Sequence, residues 1–119
     1  MDRLMTGHIP ESLRAHMAAV ERCDPTAMAA DYTPDAIIER PQQRIDGHAA
    51  ICEYFLGVPS RLGGGTVRFD SVDLHSEDSA TFHWRIEGGP GDGSSGSDTV
   101  QLRDGLISHQ QVRLNTKDF

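Results

Sequence analysis

A histidine lies on the apolar face of the first helix that the sequence predicts. Over residues 11–22, Leu13, His16, Met17 and Val20 recur at helical spacing and share one face. An imidazole on such a face can serve as a general acid, a general base or a hydrogen-bond donor in a cavity. The alternative is a core histidine that is bonded to a backbone group.

A carboxyl group occupies a comparable position on a strand. Asp98 shares one strand face with Val100 and Leu102. If this face lines a cavity, desolvation should raise the pKa of Asp98 unless a cation pairs with it. The alternative is an aspartate that caps the Gly/Ser-rich turn before it.

An arginine is predicted at the mouth of the same cavity. Arg40 has the strand parity of Ala36 and Ile38, which should face inward. A guanidinium there would bind a carboxylate or an enolate, through two parallel bonds where the geometry allows. The alternative is a surface arginine, or one that pairs with Glu39 or Asp46.

Patterns for metals, cofactors and covalent catalysis are missing from the sequence. The six histidines lack metal-ligand spacing, no serine or cysteine lies in a nucleophile elbow, and no glycine-rich phosphate motif follows a strand. We therefore expect neither a metal nor a cofactor. Large apolar residues are expected to form the core and the cavity wall, and those expected to contact a ligand are Tyr32, Phe55, Trp84 and Val112.

The first half of the chain is predicted to be mainly helical. After the helix over 11–22, Asp24 suits an N-cap and Pro25 suits the first position of a short second helix that ends at about Tyr32. A brief strand over 36–40 and a third helix over about 48–57 follow, and Pro59 with the glycines after it should end that helix.

The second half is predicted to be an antiparallel sheet. Its residues alternate between apolar and polar, so that Phe82 and Trp84 share one face while His83 and Arg85 share the other. The dipeptide at 104–105, Asp-Gly, is a strong hairpin signal. A Gly/Ser loop is expected over 88–97, and strands are expected over 67–75, 79–87, 98–103 and 106–115. Helices followed by hairpin-linked strands predict an α+β fold in which helices pack on one face of a curved sheet.

Composition narrows the class of protein. The 119 residues suit one domain, and a net charge of -7 disfavours binding to nucleic acid or to an anionic membrane surface. No apolar run approaches the roughly 20 residues of a membrane span, and the first residues lack the core of a signal peptide. Cys23 and Cys52 have no metal-site or redox-motif spacing, so we expect two reduced thiols and a cytoplasmic location.

Three segments resemble the nuclear transport factor 2-like superfamily, and within it the ketosteroid isomerase-like and SnoaL-like proteins. They are 31–39 (DYTPDAIIE), where a short helix gives way to a strand, 45–51 (IDGHAAI) before the third helix, and 62–68 (LGGGTVR). The resemblance covers about residues 13 to 115. It implies a cone-shaped, cystatin-like antiparallel sheet wrapped around three N-terminal helices, in one domain over 1–119 with a loose N-terminus over 1–10. It also implies a homodimer, no metal and a deep apolar cavity.

The resemblance assigns roles to the three candidate residues. The isomerases bind a developing oxyanion with a helix tyrosine and a strand carboxylic acid, and His16 and Asp98 stand at these positions. Both should face one oxyanion site, so we expect them to form a direct dyad. The isomerases' catalytic base is matched by Arg40, with Glu39 just before it. Because arginine stays protonated, ordinary ketosteroid isomerisation should be absent or very weak.

Two functions from different classes follow. One is a cofactor-free enzyme that moves a proton or activates water on a hydrophobic carbonyl, enol or epoxide compound, with His16 and Asp98 as catalytic residues and Arg40 holding the polar end. The other is a non-catalytic module that binds a small ligand or dimerises. His83, Arg85 and Gln111 lie on the outer face of the predicted sheet, where the family often dimerises.

Overall fold

The computed structural model describes residues 9–116, which form four short helices and six strands. The segments 1–8 and 117–119 lie outside the described residues, so most of the expected loose N-terminus is not described. The helices are α1 (Glu11–Glu21), α2 (Pro25–Ala30), α3 (His48–Leu56) and α4 (Val58–Leu62). The strands are β1 (Tyr32–Arg40), β2 (Gln43–Asp46), β3 (Thr66–Ser76), β4 (Ser79–Glu87), β5 (Ser95–Arg103) and β6 (Leu106–Leu114).

The six strands form one open sheet in the order β2-β1-β6-β5-β4-β3. The four strands from β3 to β6 are antiparallel neighbours, whereas β1 joins the sheet parallel to β6. Register shifts in β3 bend the sheet, as bulges do. Because α1 and α3 pack against the sheet and bury its apolar face, the predicted α+β fold with a curved sheet around helices is confirmed.

Two local predictions are confirmed by backbone geometry. The side chain of Asp24 accepts a hydrogen bond from the backbone N–H of Ala27, and Pro25 begins α2. In the hairpin between β5 and β6, φ is 54° at Asp104 and 81° at Gly105. A two-residue turn with positive φ at both positions is the type that matches the twist of the paired strands.

Proline positions account for two departures from the predicted elements. Tyr32 begins β1 instead of ending α2, and Pro34 lies where the register of β1 against β6 shifts, so its missing N–H breaks no ladder bond. Pro59 lies in the first turn of α4, which was not predicted. A proline in the first turn lacks only a donor that is unpaired there in any case, so Pro59 is accommodated within α4 instead of ending α3. The short edge strand β2 was also not predicted.

The loop predicted over 88–97 is shorter than expected because β5 begins at Ser95. Gly96 pairs with Trp84 on β4, and a Cβ atom at Gly96 would lie 2.6 Å from the indole ring. The glycine thus leaves room for the indole to lie across the strand. A glycine in a strand can mark such a close approach, a role that composition alone does not distinguish from a flexible loop.

No helix within residues 9–116 combines the length and the hydrophobicity that crossing a bilayer would require.

Candidate functional site

A pocket with a cavity volume of about 90 Å³ lies between the inner face of the sheet and helices α1 to α4. Most of its wall is aliphatic or aromatic, with side chains from all four helices and from five of the strands. The more deeply buried residues form its floor, and the partly exposed lining residues mark its mouth: Val20, Arg40, Tyr54, Arg61 and Phe69. The polar or titratable members of the lining are His16, Arg40, Tyr54, Arg61, Asp98 and Gln110.

The structure places the three candidate residues in this one pocket. His16 reaches it from α1, Arg40 from the end of β1, and Asp98 from β5. Three of the four expected contact residues also line it: Phe55, Trp84 and Val112. The fourth, Tyr32, does not line the pocket. It lies behind the wall, with its ring centroid 5.3 Å from that of His16 and 5.6 Å from that of Phe55.

Asp98 is a buried carboxyl group held by two donors. The indole Nε1–H of Trp84 donates to Oδ1 at 2.9 Å, and the amide Nε2–H of Gln110 donates to Oδ2 at 2.6 Å. Burial raises the pKa of Asp98 from 3.8 to about 6, although these two bonds and the charge of Arg40 oppose the shift. Asp98 is therefore a pocket residue within β5, and the alternative that it caps the Gly/Ser turn is wrong.

His16 is a buried neutral imidazole with a defined tautomer. Its Nδ1 lies 3.0 Å from the backbone carbonyl of Met28. A carbonyl only accepts, so Nδ1 carries the proton and donates it. Burial lowers the pKa of His16 from 6.5 to about 4 against the opposing effect of this bond, which leaves Nε2 with a lone pair at neutral pH. The alternative of a histidine bonded to the backbone is thus correct for Nδ1, and the ring still lines the pocket.

His16 and Asp98 are connected through two other side chains. His16 Nε2 lies 3.4 Å from the hydroxyl of Tyr32, which donates to Gln110 Oε1, and Gln110 in turn donates to Asp98. The predicted direct dyad is therefore wrong, because Tyr32 and Gln110 lie between its members. Gln110 could have been found from strand parity, since it shares the inward face of β6 with Val112.

Arg40 has the inward orientation that its parity predicts. Its Nη1 donates to the hydroxyl of Tyr54 at 2.7 Å, and its guanidinium lies 5.7 Å from the centre of that ring. The guanidinium of Arg61 lies 4.8 Å from the same ring centre. The pocket mouth therefore has two cations and a phenol, a combination suited to an anionic oxygen.

Glu39, the neighbour of Arg40, does not face the pocket. It points to the outer face of the sheet, where its carboxylate accepts a hydrogen bond from His109 Nε2 at 3.0 Å. Asp46, the other proposed partner of Arg40, pairs with Arg44 at 3.0 Å. Glu39 would face the pocket only if β1 slipped by one residue, which would turn Ile38 outward, and Ile38 is buried.

The outer face of the sheet carries ion pairs within the chain. His83 lies 3.0 Å from Asp73, and Arg85 lies 2.9 Å from Asp70 and also contacts Glu87. Among residues 9–116, no three or more His, Cys, Asp or Glu side chains lie close enough together to hold a metal ion.

The chain is similar to known SnoaL-like proteins in sequence and in fold. A model of the SnoaL-like domain matches residues 13–110. No curated protein sequence matches the chain. Among solved structures, a candidate polyketide cyclase from Sinorhizobium meliloti superposes with a TM-score of 0.77 at 18% identity, over 92% of this chain and 100% of that one.

Two further structures are comparable. A candidate ketosteroid isomerase from Kribbella flavida gives a TM-score of 0.77 at 20% identity, over 92% of this chain and 79% of that one. TerC, co-crystallised with polyporic acid, gives a TM-score of 0.73 at 19% identity, over 88% of this chain and 89% of that one. At such identities these likenesses show a shared fold.

Proposed function

Because the chain belongs to the SnoaL-like domain family, we propose that it is a cofactor-free enzyme that moves a proton on a small hydrophobic carbonyl or enol compound. Isomerisation, cyclisation and water activation on an epoxide are the reaction types that suit such a site. The observation that carries the proposal is Asp98, a buried carboxyl in an apolar pocket that Arg40 also lines. A buried titratable group with a specific charged neighbour is typical of active sites.

The proposed step uses Asp98 as the proton acceptor and donor. A C–H bond next to a carbonyl breaks, its proton passes to a carboxylate oxygen of Asp98, and the electron pair moves onto the carbonyl oxygen to give an enolate. Arg40 and Tyr54 at the mouth then stabilise the anionic oxygen. Return of the proton to another carbon completes an isomerisation. A pKa of about 6 suits this role near neutral pH.

The proposed substrate is small and has an acidic or enolisable oxygen. The cavity of about 90 Å³ is below the roughly 300–1,000 Å³ of common ligand pockets, so we expect the partly exposed side chains at the mouth, such as Tyr54 and Arg61, to move outward when a bicyclic ligand binds. TerC, which shares the fold, was crystallised with a compound named as an acid, in keeping with a cationic mouth. Steroid isomerisation is not the activity we propose, because the resemblance matches Arg40 to the isomerases' base.

Proton transfer is tested with 2-indanone, a small ketone with acidic α-hydrogens. Wild-type protein in D₂O is expected to accelerate exchange of these hydrogens above the buffer rate, measured by proton NMR. Excess 2-naphthoate should inhibit the acceleration by filling the pocket. If 2-indanone binds but exchanges at the buffer rate, proton transfer by this pocket is contradicted.

A non-catalytic binding module is the second candidate. It is favoured by Arg40, which the resemblance to the isomerases matches to their catalytic base and which cannot accept a proton. It predicts ligand binding without exchange, so the 2-indanone experiment separates the two candidates.

Replacing Arg40 is expected to weaken the binding of an acidic ligand. A charge-assisted hydrogen bond contributes about 1.5–3 kcal/mol, so Arg40→Gln should raise the Kd of 2-naphthoate by about 10- to 100-fold. Binding of the uncharged 2-naphthamide should change much less. Calorimetric titration measures both. Arg44→Gln is the matched control, since Arg44 is exposed and pairs with Asp46, and an equal loss in that variant would argue against the assignment.

We also propose that the protein forms a homodimer through the outer face of the sheet, which carries His83, Arg85 and Gln111. A cytoplasmic location is a further part of the proposal. Sedimentation should give about twice the chain mass of 13.0 kDa, and a monomer across a wide dilution range would oppose the dimer.

A further inference from the structure

The hydrogen bonds between Asp98 and His16 have a direction when Asp98 is ionised. A carboxylate only accepts, so Gln110 must turn its NH₂ group to Asp98 and its carbonyl to Tyr32. The single hydroxyl proton of Tyr32 is then donated to Gln110. Burial and the nearby charge of Asp98 raise the pKa of Tyr32, so this hydroxyl keeps its proton.

In this direction the series of hydrogen bonds is incomplete at its His16 end. Since His16 Nδ1 donates to Met28, Nε2 of the neutral ring holds a lone pair. That lone pair faces the oxygen of Tyr32, whose proton is already donated elsewhere. The two atoms lie 3.4 Å apart, longer than an ordinary O–H···N bond. A buried acceptor left without a donor costs free energy.

One proton on Asp98 allows every link to be satisfied in the opposite direction. Oδ2–H of Asp98 donates to the carbonyl of Gln110 after its amide rotates by half a turn. The NH₂ group of Gln110 donates to the oxygen of Tyr32, and the hydroxyl of Tyr32 donates to His16 Nε2. In total, Asp98 gains one proton. The only covalent bond formed is Oδ2–H, and the charges of Gln110, Tyr32 and His16 do not change.

We propose that Gln110 and Tyr32 are positioning residues of a reversible relay, which reverses its direction when Asp98 takes up a proton and then ends in a hydrogen bond to His16 Nε2. The relay rests on the proposed function for its use, because Asp98 is the group that would receive a proton from the substrate. The relay stabilises the protonated carboxyl because the Oδ2–H group of Asp98 finds an acceptor in the carbonyl of Gln110. If the neighbours of Asp98 could only donate, its new proton would have no acceptor.

The pKa shifts agree with this geometry. Burial brings the pKa of Asp98 to about 6, within reach at near-neutral pH. The pKa of His16 falls to about 4, so the ring stays neutral and its Nε2 can accept when the relay reverses.

Other charged groups near the relay define the background of the test. The positive charge of Arg40 on β1 acts on Asp98 and lowers its pKa. Asp31 lies 3.9 Å from His16 Nδ1, and burial raises its pKa while the charge of Arg22 opposes the shift. Because a change in the charge of Asp31 would also move the signal of the nearby His16 ring, the experiment is performed in an Asp31→Asn background.

NMR reports the two ends of the relay separately. The chain has one tryptophan, so its single indole N–H signal reports the protonation of Asp98 through the Trp84 bond. The ¹⁵N shift of His16 Nε2 reports the other end. Between pH 8 and 5, where the His16 ring is still neutral, we expect both signals to move with one midpoint. Tyr32→Phe should retain the indole titration and lose the coupled response of His16.

A second variant guards against a folding defect in Tyr32→Phe. Gln110→Met has similar volume and no polar atoms to relay, so the hydroxyl of Tyr32 should donate to His16 at every pH and the Nε2 signal should no longer follow the indole. The relay is wrong if the His16 signal still follows the indole signal in both variants, if it does not move in the Asp31→Asn protein while the indole titrates, or if the indole does not titrate at all. No substrate is used, so failure of 2-indanone exchange would leave this result unaffected.

Discussion

Asp98→Asn is expected to make the protein more stable at pH 7 and to suppress proton transfer. Exchange of 2-indanone hydrogens should fall by about 100- to 10,000-fold, because the amide can neither accept nor return the proton. The free energy of unfolding should rise by about 2–3 kcal/mol, because an ionised carboxylate is no longer buried in an apolar pocket. Loss of function with gain of stability is expected at an active site that is held at a cost.

The gain in stability depends on pH in a defined way. The pKa of Asp98 is about 6 in the folded protein and near 3.8 when unfolded. The folded state therefore binds a proton on Asp98 more tightly than the unfolded state does. The stability that this proton binding supplies is present below pH 3.8 and is lost as the pH rises through 6. The advantage of Asp98→Asn should accordingly be full above pH 7 and close to zero near pH 4.

Urea unfolding from pH 4 to 8 measures this difference. Glu39→Gln is the matched control, since Glu39 is half-exposed on the outer face and bonds to His109. That variant should keep its exchange rate and show no comparable gain. Equal stability of wild type and Asp98→Asn at pH 7 would contradict a desolvated, ionised carboxylate in the pocket, and unchanged exchange would contradict its role in proton transfer.

His16→Gln is expected to make the folded protein more resistant to acid than the wild type. The pKa of His16 is about 4 in the folded protein and 6.5 when unfolded. The stability that the neutral His16 ring contributes to the folded state is present above pH 6.5 and is lost as the pH falls through 4. This loss amounts to about 3 kcal/mol of the free energy of unfolding. Glutamine can donate to Met28 and accept from Tyr32 without titrating. Relative to wild type, His16→Gln should therefore gain about 3 kcal/mol between pH 7 and pH 4.

The two sites have opposite slopes within the same pH range. In the wild type, the gain from Asp98 and the loss from His16 should partly cancel between pH 6.5 and 4. Urea titrations should show stability falling steeply with acid in Asp98→Asn and rising in His16→Gln. Parallel pH profiles for His16→Gln and the wild type would mean that His16 is not a buried neutral ring.

Local patterns in the sequence were sufficient to choose the faces and several element ends. Helical spacing placed His16 inward, and period-two alternation placed Asp98 and Arg40 inward, as the structure has them. The 104–105 turn was also predictable, because a two-residue hairpin needs positive φ that Asp-Gly adopts at low cost. These features depend on a few consecutive residues, and the direction of a side chain from an element is set by its periodicity.

The bonding partners at the site were decided by the tertiary structure. Gln110 and Tyr32 separate His16 from Asp98 because β1 lies beside β6, a pairing between strands that are far apart in the chain. Alternation selects a face, but the register between distant strands selects which polar atoms on that face come within bonding distance. The pKa values of Asp98 and His16 also depend on burial by the whole fold, so the sequence could supply the titratable groups but not their protonation states.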